Sequence, residues 1–231
     1  MGVCAIIPAR YASTRLPGKP LLADTGKPLI QHVVEAVRPA RRVDRVVVAT
    51  DDRRIFDAVT AFGGEAVMTR EDHASGTDRL AEAAGLLGLA ASDIVVNVQG
   101  DEPDVPAESL DALVVLLDRS GAEMATLATS LPREQAADPH RVKVVLRDDG
   151  RALYFSRAAI PHDRDGMGTV NYLLHLGLYA YRREFLERYA AMPPAELEKI
   201  ERLEQLRALA AGSDIVVEVV DYHGHGIDTP E

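Results

Sequence analysis

Three cations, Arg10, Arg15 and Lys19, crowd the segment Pro8–Pro20 (PARYASTRLPGKP), and no acidic residue lies among them. The chain carries 26 Lys+Arg against 36 Asp+Glu, a net charge of -10, so a local basic cluster of this kind needs a reason. Glycine, lysine and free backbone amides following a strand can cradle phosphates. Arginine offers phosphate oxygens a planar fork, whereas lysine acts as a point charge. Gly18-Lys19 is followed by Pro20 rather than Ser or Thr, and position 13 is not glycine, so this is no Walker A loop. A G-x-G-x-x-G dinucleotide fingerprint is also missing. The plainer reading is a solvated basic loop. Position favours phosphate binding, because the loop leaves the carboxyl end of the first strand, where open α/β sheets gather ligands.

Asp101, in Asn97-Val98-Gln99-Gly100-Asp101-Glu102-Pro103, is the candidate for holding a hard cation such as Mg²⁺. That ion takes only one or two protein carboxylates and completes its shell with water and phosphate oxygens. Capping the next helix is the alternative, weakened because Pro106 and Glu108 place that helix several residues later. In His73–Arg79, Ser75 or Thr77 can cap a helix, and Ser75, Gly76 and Arg79 can also read a base edge. Asp228, in the tail GHGIDTPE, reads first as a helix cap. His175 sits in an apolar strand, where a structural role is commoner than a catalytic one. No His belongs to a zinc-like spacing, and no G-x-S-x-G elbow is present. The chemistry therefore points away from a covalent intermediate. Glu201 and Glu204 read as the solvated face of a helix over 197–209, with Ile200, Leu203, Leu206 and Leu209 on its apolar face.

Strands and helices alternate to carry these loops. Apolar runs at Val3–Pro8, Arg45–Thr50, Glu65–Thr69 and Ile94–Val98 read as strands, the first, second and fourth buried on both faces. Helical patterns lie between them: Leu29, Val33 and Val37 form one stripe, Ile55 and Val59 a second, Leu80, Ala83 and Leu87 a third. This order predicts an α/β fold, a mostly parallel twisted sheet with helices on both faces. The second half is more mixed, with strands near 124–130, 142–146, 152–155, 173–181 and 215–220. No Ser/Gly linker divides the chain, so residues 1–231 read as one domain in which about 130–190 form a smaller mixed second lobe.

Composition narrows the function. With 47% hydrophobic and 27% charged residues the chain is a folded globular protein. No apolar run approaches the ~18–20 residues of a membrane span. An acidic chain is a poor candidate for nucleic acid, which needs a basic face. Cys4 is the single cysteine, which excludes an intramolecular disulfide. Met1 runs at once into a strand with no basic leader, so a cytoplasmic location is the expectation.

Taken together, the blocks IIPARYASTRLPGKPL (6–21), VVVATDD (46–52), MTREDHASGTDRLAE (68–82), VNVQGDEP (96–103), ALYFSRAAIP (152–161), HLGLYAYR (175–182), LEQLR (203–207) and GIDTPE (226–231) resemble the 3-deoxy-D-manno-octulosonate (Kdo) cytidylyltransferases. The resemblance spans nearly the whole chain. It implies a Rossmann-like nucleotidyltransferase fold and the reaction CTP + Kdo → CMP-Kdo + diphosphate, with Mg²⁺. It also implies that Arg10, Arg15 and Lys19 hold the CTP phosphates, and that Met68, Ser75, Gly76 and Arg79 surround the cytosine. Asp101 and Asp228 would bind Mg²⁺. Gln99, Arg157, His175, Tyr179, Glu204 and Gln205 match sugar-pocket positions, with Arg157 suited to the sugar carboxylate. A homodimer formed through the second lobe follows from the same resemblance, as does a role in lipopolysaccharide biosynthesis. His162 departs from it, since the family more often has an aromatic residue there. The rival readings are a cytidylyltransferase for another acid, a sialic-acid-like sugar or a phosphonate, and a non-catalytic nucleotide-binding protein.

Overall fold

The computed structural model describes residues 1–12, 16–73 and 75–222. Its backbone is a nine-stranded sheet whose main path runs β3-β2-β1-β4-β8-β5-β9. These strands are β1 (Val3–Ala9), β2 (Arg45–Thr50), β3 (Glu65–Met68), β4 (Ile94–Asn97), β5 (Met124–Leu131), β8 (Tyr172–Arg182) and β9 (Ile215–Val219). β8 alone on this path runs against its neighbours; the other pairings are parallel. The mostly parallel sheet expected from the strand–helix alternation is therefore present. β6 (Lys143–Leu146) and β7 (Ala152–Ser156) form an antiparallel pair that joins the amino-terminal part of β8 through Lys143 and Leu174. The second-half strands thus extend the same sheet.

Helices α1 (Leu29–Val37), α2 (Arg53–Ala61), α3 (Gly76–Leu86) and α4 (Ala107–Ser120) connect the first strands. Asp52 caps α2 by accepting from Arg54 N at 2.9 Å. Ser75 caps α3 in a reciprocal box: its Oγ accepts from Asp78 N, and its own N donates to Asp78 Oδ2. Two apolar layers result. One face of the sheet packs Ile30, Val33, Ile55 and Leu110, and the other packs Leu80, Phe155, Phe185 and Leu206. In the second half, α5 (Arg183–Ala190) leads to α6 (Glu196–Glu201) and α7 (Gln205–Ala210).

One expected helix is absent. The apolar spacing from Leu197 to Leu209 predicts a continuous helix, but the chain breaks at Arg202, which has φ 55° and ψ 48°. The break explains two further differences. Ile200 is 69% exposed and stands outside the core that takes Leu203 and Leu206. Glu201 and Glu204 do not share a solvated face: Glu201 turns to β7, where it accepts from Ser156 Oγ at 2.6 Å, and Glu204 turns to α3.

Candidate active site at the carboxyl edge of the sheet

β1 is central, yet its next-to-last residue is Pro8, which has no N–H to give the ladder. Pairing with β2 continues to Ala9, while pairing with β4 stops at Ile6 and Asn97. The tips of β1 and β4 therefore part, and a crevice opens where their loops leave the sheet, as expected of a parallel sheet. Gly100 keeps the two loops close: a Cβ there would stand 3.0 Å from the Pro8 carbonyl oxygen.

The first cleft is lined by Pro8, Arg10, Ser75, Gly76, Arg79 and Gln99, among others. Arg10 is exposed at its mouth. Lys19 Nζ donates to Asp101 Oδ2 at 2.7 Å, which joins the basic loop to the candidate metal carboxylate. Gly18 has φ +71°, and a Cβ there would meet the Tyr11 ring at 3.0 Å, so this turn needs glycine. Arg79 is 4% exposed and held from two sides, by Thr69 Oγ1 at 2.6 Å and Asp51 Oδ2 at 2.5 Å. Its guanidinium forms a fixed wall of the cleft. The turn before α3 is tied down as Glu82 takes the ring of His73 and the N–H of Arg70. Met68 ends β3 on the same sheet edge, but it is exposed and does not line the cleft.

A second cleft adjoins the first and shares Gly76, Gln99 and Glu204 with it. The reversed direction of β8 builds this second cleft. Asn97 pairs with Tyr179, so the chain beyond Asn97 faces the amino-terminal stretch of β8, and Gln99 Nε2 reaches Gly177 O at 3.5 Å. His175, Gly177 and Tyr179 thereby come to the carboxyl edge of the parallel strands. His175 Nε2 bonds Thr126 Oγ1 at 3.0 Å, and its ring meets Phe155 edge-on at 4.9 Å. Burial lowers its pKa to about 3, so the ring is neutral at pH 7. Thr77 Oγ1 donates to Glu204 Oε2 at 2.7 Å and Tyr189 Oη to Glu204 O at 2.6 Å, which fixes that carboxylate beside α3. Gln205 is 4% exposed, and its Nε2 has no hydrogen-bond partner among the described residues; the same holds for Asn97 Oδ1.

The structure thus brings together Arg10, Lys19, Asp101, Ser75, Gly76, Arg79, Gln99, His175, Tyr179, Glu204 and Gln205. Arg15 and Asp228 lie outside the described residues. Arg157 is placed otherwise than the resemblance implies. Instead of a planar anion it finds main-chain carbonyls: Nε donates to Glu201 O at 2.7 Å, Nη1 to Pro139 O at 2.9 Å and Nη2 to Arg202 O at 3.4 Å. It lines neither cleft. Sequence reasoning missed Asn97, Thr77 as a partner of Glu204, Tyr189 and Arg202. A polar residue ending the apolar run IVVN was a signal for Asn97; the others depend on contacts distant in sequence.

Among the described residues a metal ion would find one hard ligand here, Asp101. Asp101 Oδ2 accepts from Lys19 Nζ, and among the described residues its second carboxylate oxygen is left for a cation. Among the described residues no cluster of three or more His, Cys, Asp or Glu could hold a metal. A lone carboxylate beside a basic loop fits Mg²⁺ shared with phosphate oxygens. Burial, with Asp101 alongside, pushes Glu102 up to about 7.

A family model described as cytidylyltransferase matches residues 4–215. A 3-deoxy-manno-octulosonate cytidylyltransferase from Syntrophobacter fumaroxidans is 54% identical over 237 residues, covering 100% of this chain and 94% of that protein. One of the same name from Photobacterium profundum is 50% identical, with 100% and 96% covered. A solved structure of CMP:2-keto-3-deoxy-manno-octonic acid synthetase complexed with CTP superposes with a TM-score of 0.94 at 46% identity, covering 100% of this chain and 94% of that one.

Proposed function

The chain belongs to the cytidylyltransferase family, and from that premise we propose that it transfers the cytidylyl group of CTP to 3-deoxy-D-manno-octulosonate, yielding CMP-Kdo and diphosphate. The observation that carries this reading is the pair of clefts meeting at Gly76, Gln99 and Glu204. A nucleotide in one and a sugar in the other would have their reacting ends at the shared wall. The anomeric hydroxyl oxygen gives up its proton to solvent and bonds to the α-phosphorus, the bond from that phosphorus to the bridging oxygen breaks, and diphosphate leaves. Such transfer needs positioning and charge stabilisation rather than a covalent enzyme intermediate.

Arg10 and Lys19 supply positive charge for the triphosphate and the departing diphosphate, with Arg15 in the same loop. Ser75, Gly76 and Arg79 bound the base, and Met68 stands at the adjacent strand end. Asp101 and Asp228 would hold Mg²⁺, which when bound neutralises phosphate charge and fixes its geometry. Gln99, His175, Tyr179, Glu204 and Gln205 offer hydrogen bonds to sugar hydroxyls; His175, kept neutral, can donate or accept without repelling a cation nearby.

The protein acts as a homodimer through the lobe at about 130–190, in the cytoplasm. Leu153 on β7 is 57% exposed in the single chain and suits such a face. No helix among the described residues is long and apolar enough to cross a membrane. The test of function is diphosphate release with each of the four nucleoside triphosphates crossed with Kdo, a sialic acid and a phosphonate. Release only with CTP and Kdo is the expected result. Release with CTP and another acid would keep the chemistry and change the substrate, and no release with any pair would overturn the reading.

A further inference from the structure

Arg202 is the one residue other than glycine with positive φ among the described residues. An L side chain is strained there, and a bulky one has no local hydrogen bond to compensate. Strain of this kind persists where the surroundings impose it, and it gathers at ligand sites. The surroundings are identifiable. The Arg202 carbonyl accepts from Arg157 Nη2 at 3.4 Å, and its N–H donates to Glu198 O. The neighbouring Glu201 accepts from Arg157 N at 2.9 Å and Ser156 Oγ at 2.6 Å, so its charge is already engaged. Glu204 is engaged by Thr77. Among the described residues the Arg202 guanidinium therefore forms no ion pair, although acids flank it in sequence.

Arg202, an exposed residue, also lines the second cleft, and among the described residues it is the only Arg or Lys to do so. The rest of that lining is rich in tyrosine, amide and glycine, with the carboxylate of Glu204. An acid sugar brings a carboxylate into this space, and a carboxylate there needs a cation. Arg157 lines neither cleft, and three of its five N–H groups go to main-chain carbonyls. We propose that Arg202 pairs with the carboxylate of the acid sugar, and that Arg157 is the positioning residue that holds the backbone of Arg202 in place. This deepens the cytidylyltransferase reading and rests on it.

The test uses the full chain with CTP and either Kdo or its uncharged carboxamide. Arg202→Gly removes the guanidinium and suits the left-handed backbone, so its melting temperature should match or exceed wild type. Its KM for Kdo should rise tenfold or more while KM for CTP stays unchanged. Wild type should prefer Kdo to the carboxamide, and Arg202→Gly should lose that preference. Arg202→Lys should recover part of it. Arg157→Lys, able to keep a carbonyl contact, should retain the preference for the carboxylate better than Arg157→Ala. An Arg202→Gly enzyme with wild-type KM for Kdo overturns the proposal. So does one that still discriminates against the carboxamide while Arg157→Ala does not. Wild type inactive with CTP and every acid sugar would overturn the function itself and the proposal with it, whereas the first two results leave the function standing.

Discussion

Lys19 Nζ and Asp101 Oδ2 meet at 2.7 Å although the residues are 82 apart in sequence. The contact binds the loop after β1 to the loop after β4 across the crevice. Lys19 thus has two duties: its charge faces phosphate chemistry, and its hydrogen bond orients the carboxylate proposed to hold Mg²⁺. Lys19→Met should lower kcat/KM for CTP about ten- to a hundredfold, since a hydrogen bond to a charged group contributes ~1.5–3 kcal/mol. Lys19→Met should also raise the Mg²⁺ concentration needed for half-maximal rate. Steady-state kinetics at varied CTP and Mg²⁺ would show both. A variant with unchanged metal dependence would deny the orienting role.

Asp101→Asn keeps the side-chain volume and removes the charge. Turnover should collapse, while metal-free binding of CTP, followed by calorimetry, should change little. If Asp101→Asn retains near wild-type turnover across a Mg²⁺ titration, the carboxylate does not hold the ion. The double variant with Lys19→Met should lose less than the two single losses combined, because the groups touch.

Thr77 Oγ1 fixes Glu204 at 2.7 Å from the first turn of α3, and so links the helix beside the nucleotide cleft to the sugar cleft. Thr77→Val preserves shape and deletes the donor. KM for the acid sugar should rise by roughly tenfold, from a lost charge-assisted bond of about 1.5 kcal/mol, with Ser75 still capping the helix. Equal rises in KM for CTP and sugar would instead indicate that α3 itself had moved.

Away from the clefts, Arg207 and Glu198 form a bidentate pair, with Nε–Oε2 at 2.8 Å and Nη2–Oε1 at 2.5 Å. The pair ties α6 to α7 across the Arg202 break, and both residues are buried. Arg207→Ala leaves a buried carboxylate without its partner, so equilibrium denaturation should show a loss of about 3–5 kcal/mol. A loss below 1 kcal/mol would mean that Glu198 is rehydrated or held by another donor.

The alternation of elements was legible because buried parallel strands read as continuous apolar runs, and Arg45–Thr50 forms with the expected bounds. The basic loop was legible because its charge opposes that of the whole chain. What the sequence hid depends on contacts distant along the chain. Nothing local marks β8 as the reversed strand that carries His175 to the edge of β4. The Leu197–Leu209 pattern keeps helical spacing through the break, since Leu203 and Leu206 reach the core from α7 and its approach while Ile200 does not. The resemblance assigned Arg157 to the sugar carboxylate, and nothing local in the sequence speaks against it. Carbonyls from the segment around Pro139 and from Glu201 and Arg202 occupy it instead.

His175 gives the fold a dependence on acid. Burial puts the folded-state pKa at about 3, below the usual 6.5. Between those values the unfolded chain binds a proton that the folded chain refuses, so stability from this group is complete above pH 6.5 and falls as the pH drops. The slope is about 1.4 kcal/mol per pH unit, which amounts to roughly 2 kcal/mol by pH 5. His175→Gln can still bond Thr126 but cannot take up a proton in this range. Its stability should be flatter than wild type between pH 7 and pH 5, where most carboxylates remain ionised. Urea denaturation of both proteins at pH 7, 6 and 5 would measure the difference. Parallel pH profiles would show that His175 accepts a proton in the folded protein at little cost, through the opening of the second cleft.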